Sequence, residues 1–456
     1  MNKNMSTPAH VRAIAVLGLP LIGGHLAQMA IGGTDTVMLG WYGVEALAAV
    51  TLASTFFFVL FICGSGFASA VMPMVASYHA AQDETSIRRA TRMGLWLSFG
   101  FGLLALPLMV NAAPILRLMG QEEAVVTLGS DYLRVAGWGI LPALFVMVLK
   151  SYLAALERTQ VVLWITVLAA VCNALVNYAL IFGNWGAPEL GVTGAAIASL
   201  STQVVSLVGV VLYVKIVLPQ HDLFRRIWRA DFDMLAQVFR LGWPISITLL
   251  SEVGLFAASA VMMGWLGTVP LAAHGVAVQL ASITFMVHLG LSNAATVRAG
   301  NAYGRLDAPH LARGAWVVTV MSLVFSAVTV ACFFLFPDFL IGIFILEDEP
   351  AKVQILQIGV GILFMAGLFQ LVDGTQVVAL GVLRGVQDTR MPMIYAAISY
   401  WGIGVPMSYL LGFTFGLEGI GVWGGLGIGL GVAAIFLNLR FWRNVLPTIR
   451  SRQAEA

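Results

Sequence analysis

The chain has 456 residues, of which 59% are hydrophobic and only 10% charged, and its formal net charge is +2. Its mean hydropathy of +0.91 lies outside the range of soluble globular proteins, which excludes a soluble enzyme or a soluble nucleic-acid-binding protein. Three cysteines lie far apart in apolar runs, so neither a disulfide nor a metal site is expected from them.

Twelve apolar segments follow one another along the chain, each long enough to cross a bilayer as a helix. They cover approximately residues 14–40, 47–76, 92–113, 129–153, 160–182, 190–216, 238–266, 271–297, 313–345, 354–381, 391–413 and 418–441. No small-residue cleavage site follows the first run, so the first helix is predicted to be retained. The pattern predicts an all-α integral membrane protein with 12 transmembrane helices.

The basic residues predict the orientation of these helices. When both termini are placed on the inner side, only Arg117, Arg134 and Lys352 of the 24 Lys and Arg residues fall on the outer side. Inner connections of membrane proteins carry the excess of basic residues. The distribution therefore predicts an even number of helices with both termini in the cytoplasm.

The two halves of the chain resemble each other. Leu17–Pro20 aligns with Leu241–Pro244, and Val37–Trp41 with Val261–Trp265. Because each half begins on the inner side, the repeat is parallel, which predicts two six-helix bundles related by a pseudo-twofold axis along the membrane normal. The predicted domains are an N-terminal bundle, a cytoplasmic linker and a C-terminal bundle, covering residues 1–218, 219–236 and 237–456.

Two carboxylates of the second half lie deep in apolar segments. Glu252 follows Arg240 by about twelve residues and Asp373 precedes Arg384 by about eleven, so both are expected roughly 16–18 Å from the inner surface. Two facing carboxylates in a low dielectric cannot both stay ionised unless a cation or a proton is bound. Glu252 and Asp373 are therefore predicted to form a coupling-ion site, for Na⁺ or H⁺.

The first half contains a different polar group. Asp35 lies in the first segment, and Asn173 and Asn177 lie one helical turn apart in the fifth, on one helix face. Such oxygen ligands suit a small cation or hydrogen-bond a protonated carboxyl, which predicts a second ion or proton site. When the two halves are aligned, each carboxylate corresponds to an uncharged residue of the other half. These residues are Ser259 for Asp35, Gln28 for Glu252, and Ala143 for Asp373. A structural role in helix packing is the alternative for each carboxylate.

Other polar, methionine and phenylalanine residues of the segments are weaker candidates. Their ordinary roles are interhelical hydrogen bonding and helix packing, the interpretation favoured for His25, His274, His288 and Gln370. A flexible methionine-rich surface can also line a binding cavity. The cavity candidates are Gln28, Met38, Met262, Met286, Gln279 and Gln376.

Six stretches together resemble multidrug and toxic compound extrusion (MATE) transporters of the NorM-type bacterial branch. They are GGTDTVMLGW around Asp35, CNALVNYALIFGNWGAPELG around Asn173 and Asn177, LLSEVGLFAASAVMMGWLG around Glu252, PLAAHGVAVQ, QLVDGTQVVALGVLRGVQDT around Asp373, and SYWGIGVP. The resemblance implies two six-helix bundles and secondary active efflux by alternating access. Lipophilic or cationic compounds would leave through the bacterial inner membrane as Na⁺ or H⁺ enters.

The resemblance also implies roles for single residues. Glu252 and Asp373 match the branch's cation-site positions, where Na⁺ would be the metal, and Asp35, Asn173 and Asn177 match its first-lobe polar site. The branch often has Tyr four residues before the second-lobe Asp, where this chain has Phe369. That departure leaves both Na⁺ and H⁺ open, and Phe369 joins the cavity candidates.

Other classes of membrane protein fit less well. A lipid-linked precursor flippase of the same plan is the alternative, but it would be expected to have a more basic cavity. A membrane-embedded enzyme would need a metal or catalytic cluster, which the sequence lacks, so neither enzymatic activity nor a cofactor besides the coupling cation is predicted. The expected partners are organic cations and the lipid bilayer, without nucleic acid, and the expected state is a monomer.

Overall fold

The computed structural model describes residues 5–345 and 350–455, and in these residues it has 12 helices long and apolar enough to cross a membrane. They are α1 Thr7–Tyr42, α2 Val44–Ala80, α3 Glu84–Val110, α4 Glu123–Ala155, α5 Thr159–Phe182, α6 Gly191–Val217, α7 Phe232–Leu266, α8 Thr268–Gly304, α9 Ala308–Leu335, α10 Lys352–Gly385, α11 Arg390–Thr414 and α12 Glu418–Glu455. This confirms the predicted number and the all-α class. Most helices extend beyond the predicted apolar segments because their polar ends remain helical outside the apolar run.

Two predicted segments were too long at their C-terminal ends. The segment 92–113 ends as a helix at Val110, and the segment 313–345 ends at Leu335. In each case a short separate helix follows, Ala113–Leu118 and Pro337–Gly342, with a proline in its first turn. Proline disfavours helical conformation in the residue before it and removes a backbone donor, so an apolar run that continues past it does not continue the helix.

The repeat is visible in how α3 and α9 begin. Asp83 accepts a hydrogen bond from the Ser86 backbone N–H at 3.0 Å, and Asp307 accepts one from the His310 backbone N–H at 3.1 Å. A side-chain oxygen at this position satisfies a donor that the first helical turn leaves unpaired. Hydrogen bonding from Ser86 also lowers the pKa of Asp83, which keeps the capping carboxylate ionised.

The helices pack into two compact units. The C unit comprises Met1–Ile22 and Ile247–Ala456, and the N unit comprises Gly23–Ser246. The helices α1 and α7 therefore each begin in one unit and end in the other. Pro20 and Pro244 lie close to these changeover points. The predicted domains, 1–218, 219–236 and 237–456, follow the sequence repeat rather than packing and stay a prediction.

Glycines allow the first part of α1 and of α7 to pack closely inside its unit. In the C unit, a Cβ on Gly290 of α8 would lie 2.4 Å from Ile22 of α1. In the N unit, a Cβ on Gly66 of α2 would lie 2.3 Å from Ser246 of α7. Both distances are too short for real atoms, so only glycine permits these helix contacts.

Irregular turns interrupt three of the spans. A 3₁₀ turn at Gly137–Gly139 lies within α4, and π-helical turns at Ile398–Gly404 and Leu410–Thr414 lie within α11. A third π-helical turn, Phe441–Val445, lies within α12. Such turns rotate the side chains that follow them and are frequent at functional sites.

Candidate functional site

The N unit brings Asp35, Asn173 and Asn177 together. The Asn177 Nδ2 group donates to Asp35 Oδ1 at 2.5 Å and to Asn173 Oδ1 at 3.2 Å. Both asparagines are completely buried on α5. An amide that donates to a carboxylate stabilises its charged form. Among the described residues, no basic side chain forms a salt bridge with Asp35.

Two further residues beside Asp35 were missed in the sequence. The Tyr132 hydroxyl of α4 lies 3.0 Å from Ser199 Oγ of α6, and both side chains interact with Asp35. Tyr132 lies beside the charged Asp131, and Ser199 lies two residues before Ser201, so neither stands out from its neighbours in the sequence. Spacing along the chain cannot show that α4 and α6 approach the same point on α1.

The C unit brings Glu252 of α7 and Asp373 of α10 together. Their charges act on each other, and the side chains are only 9% and 2% exposed. Asp373 Oδ1 accepts no hydrogen bond from the described residues. Two like charges in a low-dielectric interior repel strongly, so the pair requires a proton or a cation to compensate one charge.

Tyr400 and Gln376 complete the polar surroundings of this pair. Gln376 Nε2 donates to the Tyr400 hydroxyl at 2.6 Å, both side chains are fully buried, and the charges of Glu252 and Asp373 reach Tyr400. Tyr400 lies in the first π-helical turn of α11. A phenol oxygen therefore lies beside the carboxylate pair although Phe369 has no hydroxyl. The stretch SYWGIGVP contained Tyr400, but nothing in the spacing linked it to Asp373.

One basic residue also acts on this group. Arg384 is half-buried in the last turn of α10, and its charge acts on Glu252. In the sequence Arg384 marked only the inner end of a segment. In the structure Arg384 partly compensates the negative charge of Glu252. The negative charge of Asp373 is less compensated by basic residues.

Phe369 forms part of an aromatic wall. It packs edge-on against Phe256 and Trp423, with ring centroids 5.9 and 5.5 Å apart. Trp423 Nε1 donates to His274 Nδ1 at 3.0 Å. His274 thus forms an interhelical hydrogen bond, and so does His288, which lies 2.9 Å from Ser322 Oγ.

The cavity candidates do not form one group in the structure. Gln28 and Met38 belong to the N unit and the others to the C unit. Gln28 and Gln279 are exposed, whereas Met38 and Met286 are half-buried. Met262, Phe369 and Gln376 are buried. As substrate contacts they stay a prediction.

The donor atoms decide which ion could be held. Among the described residues, no group of three or more His, Cys, Asp and Glu side chains could hold a metal ion. The C-unit group instead offers hard oxygen atoms, two of which, Asp373 Oδ1 and Gln376 Oε1, have no hydrogen-bond partner in the described chain. Such oxygens fit Na⁺ or a carboxyl proton and do not fit a soft transition metal.

Taken together, the fold and the two carboxylate groups define a multi-pass, all-helical membrane protein. Intramembrane carboxylates of this kind mark ion or substrate pathways. The profile of the MatE family matches residues 20–179 and 244–410, and the chain belongs to that family.

Curated relatives cover almost the whole chain. The chain is 45% identical over 443 residues to the probable multidrug resistance protein NorM of Rhizobium meliloti (strain 1021), covering 96% of this chain and 94% of that protein. It is also 45% identical over 435 residues to the protein of the same name from Agrobacterium fabrum, covering 95% and 94%. The resemblance to NorM-type MATE proteins is confirmed.

Solved structures agree with the fold. A crystal structure of MATE in complex with MaL6 matches with a TM-score of 0.89 and 22% identity over 97% of both chains. An outward-facing multidrug resistance MATE family transporter of the MOP superfamily matches with a TM-score of 0.86 and 23% identity over 96% of both chains.

Proposed function

We propose that the protein is a secondary active multidrug efflux transporter. It exports lipophilic, cationic organic compounds by alternating access while Na⁺ or H⁺ moves inward. The observation that carries the proposal is the Glu252–Asp373 pair, with Asp373 Oδ1 left without a hydrogen-bond partner in the described chain. The names of the NorM relatives, probable multidrug resistance proteins, support efflux as the activity.

The pair couples ion and drug through charge. When empty, the two carboxylates repel each other and attract a cationic drug. An entering Na⁺ or proton neutralises that charge, weakens the drug's attraction and stabilises a different conformation. By linkage, the ion lowers drug affinity by the same factor by which the drug lowers ion affinity. The Asp35 group of the N unit provides a second position for an ion or a proton.

The protein acts as a monomer in the bacterial inner membrane. The excess of basic residues on the inner connections supports a cytoplasmic location of both termini. The protein transports its substrate without changing it chemically. It is embedded in the lipid bilayer, and the organic cation and the coupling ion are the only ligands that it requires.

Purified protein in liposomes tests the proposal. Efflux of a fluorescent organic cation should be accelerated by an imposed inward Na⁺ gradient, by a pH gradient, or by both. Drug affinity measured at several Na⁺ concentrations and pH values should fall as the coupling ion increases. The matched variants Glu252→Gln and Asp373→Asn should lose this dependence.

The proposal fails if neither gradient accelerates efflux. The coupling role of the pair fails separately if wild-type drug affinity responds to neither ion. It also fails if both variants respond to the ions as wild type does.

A further inference from the structure

An exposed basic and aromatic segment of the N unit has no role in the sites above. It is the linker of residues 219–231, PQHDLFRRIWRAD, which connects α6 to α7. Arg226 and Arg229 are exposed in this linker and form no salt bridge with the described residues. The Trp228 side chain between them in the sequence is 74% exposed. The linker therefore presents two uncompensated cations close to a large apolar ring.

The transmembrane helix α3 fixes the backbone of the linker. The Arg92 guanidinium of α3 donates to the Asp222 carbonyl at 2.6 Å and to the Leu223 carbonyl at 2.7 Å. Trp96 Nε1, one turn further along α3, donates to the Ile227 carbonyl at 2.7 Å. These contacts satisfy linker carbonyls that belong to no helix or strand. Little backbone order has to be gained when the exposed side chains bind a partner.

The two ends of the linker are held in the same unit. At its start, His221 is buried, and its Nδ1 atom is hydrogen-bonded to the Tyr152 hydroxyl of α4. At its end, Asp231 forms a salt bridge with Arg89 of α3. The linker is thus a surface of fixed conformation rather than a loose connection.

Exposed apolar side chains flank the linker on both neighbouring helices. Ile216 in the last turn of α6 and Phe232 at the start of α7 are both largely exposed. Exposed apolar surface on a helix that crosses a bilayer faces lipid. Both ends of the linker therefore reach the membrane surface, the level at which tryptophan side chains are enriched in membrane proteins. The guanidinium groups of Arg226 and Arg229 lie next to Trp228 in the sequence and share this level.

We propose that the linker binds the headgroups of anionic phospholipids, with Arg226 and Arg229 contacting phosphate and Trp228 inserting at the interface. Guanidinium groups donate paired hydrogen bonds to phosphate oxygens, and basic residues next to transmembrane helices attract anionic lipids. The leaflet is the inner one, the side predicted for this linker. The inference goes beyond efflux, because it assigns a lipid partner to the N unit whatever the substrate is.

Fluorescence quenching by spin-labelled lipids tests this in the full-length protein. The protein is placed in phosphatidylcholine nanodiscs with increasing amounts of either phosphatidylglycerol or phosphatidylcholine labelled near its headgroup. The chain has 12 tryptophans, so the Trp228 signal is the difference between each protein and its Trp228→Phe counterpart. In wild type, labelled phosphatidylglycerol should quench Trp228 at lower amounts than labelled phosphatidylcholine, and high salt should reduce this preference.

Removing the charges should remove the preference. We expect Arg226→Gln or Arg229→Gln to lower the apparent affinity for labelled phosphatidylglycerol about fivefold each, and the two together about 25-fold. Quenching by labelled phosphatidylcholine should not change. Replacing both arginines with lysine should retain most of the affinity, because the charges remain. Thermal unfolding of each variant shows that it is folded.

Arg158→Gln is the matched control, because Arg158 is an exposed arginine of the same unit in the connection between α4 and α5. It should leave the Trp228 signal unaffected. Equal quenching of wild-type Trp228 by both lipids would overturn the proposal, as would an unchanged preference after both arginines are replaced with glutamine. In either case the basic residues would serve only the orientation of the chain. The measurement needs no transport, so its failure leaves the efflux function standing, and a failed efflux assay leaves the lipid-binding surface standing.

Discussion

In the N unit, Asp35 accepts a hydrogen bond from Asn177 at 2.5 Å, whereas in the C unit Asp373 Oδ1 has no partner among the described residues. The first carboxylate is stabilised by an amide of its own chain, and the second lies beside another carboxylate, Glu252. One repeated scaffold therefore holds a carboxylate whose hydrogen bonding the protein supplies and a pair of carboxylates that repel each other, with Arg384 as a partial counter-charge for Glu252.

The position that aligns with Asp35 shows the same divergence. In the C unit it is Ser259, which is fully buried, donates to the Phe256 carbonyl at 2.7 Å and lies 3.5 Å from His274 Nε2. His274 in turn accepts from Trp423. The C unit uses this position for helix packing. Aligned positions of the two units therefore differ in their polar chemistry.

The largest expected effect comes from the C-unit pair. Asp373→Asn removes one of the two charges, so gradient-driven efflux should fall more than about tenfold. Thermal stability should be unchanged or higher, because a buried charge without a hydrogen-bond partner on Oδ1 is lost. Liposome transport and thermal unfolding in detergent measure the two quantities. The control is Asp338→Asn, which removes an exposed carboxylate. A clear loss of stability in Asp373→Asn would contradict the comparison.

A smaller effect, several-fold in transport rate, is expected from Asp35→Asn and from Asn177→Ala in the N unit. Because the two side chains form one hydrogen-bonded site, the double variant should lose little more than the stronger single variant. A hydrogen bond to a charged group corresponds to a coupling energy of about 1.5–3 kcal/mol. Transport rates of the four proteins give this energy. Independent, additive losses would show that Asp35 and Asn177 do not act as one site.

A third prediction concerns the Tyr400 phenol beside the C-unit pair. Tyr400→Phe removes the acceptor of the Gln376 hydrogen bond beside the carboxylate pair. The concentration of ion needed for half-maximal transport should rise about three- to tenfold, with little change in the maximal rate. The control is Tyr409→Phe, which removes an exposed hydroxyl from the same helix. Equal ion dependence in wild type and Tyr400→Phe would exclude Tyr400 from the ion site.

The smallest effect concerns the contacts that fix the first part of α7 in the N unit and the first part of α1 in the C unit. In the N unit, Arg89 donates to Asp231, which precedes α7 and accepts from the Met234 backbone N–H at 3.1 Å. In the C unit, Arg298 instead lies 3.3 Å from His10 Nδ1 of α1 and 2.9 Å from His310 Nε2.

Hydrogen bonding from Arg89 lowers the pKa of Asp231, so the pair's stabilisation is complete above the ordinary Asp pKa of 3.8. It is lost as the pH falls through the lowered folded-state pKa. Because Arg89 is 41% exposed, solvent screening limits the contribution to below about 1 kcal/mol. Asp231→Asn should slightly lower the unfolding temperature at pH 7, and the difference should shrink in strong acid. A difference that grows in acid would refute this assignment.

The sequence by itself determined the helix count, the repeat and the buried carboxylates. A bilayer demands apolar helices of a minimum length, and a carboxylate inside one is conspicuous because it is costly. Equal depth from helix rise was enough to bring Glu252 and Asp373 to one group, and shared helix face was enough for Asn173 and Asn177.

Only the tertiary structure placed Tyr400, Ser199 and Tyr132 beside these carboxylates, and Lys150 on Thr166. It also showed that α1 and α7 each belong to two packing units. A hydroxyl group in a membrane segment, or a lysine near the end of one, costs little free energy. Such residues are therefore common, and their presence in the sequence does not indicate a site. Which helices touch depends on side-chain packing between distant parts of the chain, and neither hydropathy nor spacing along one helix contains that information.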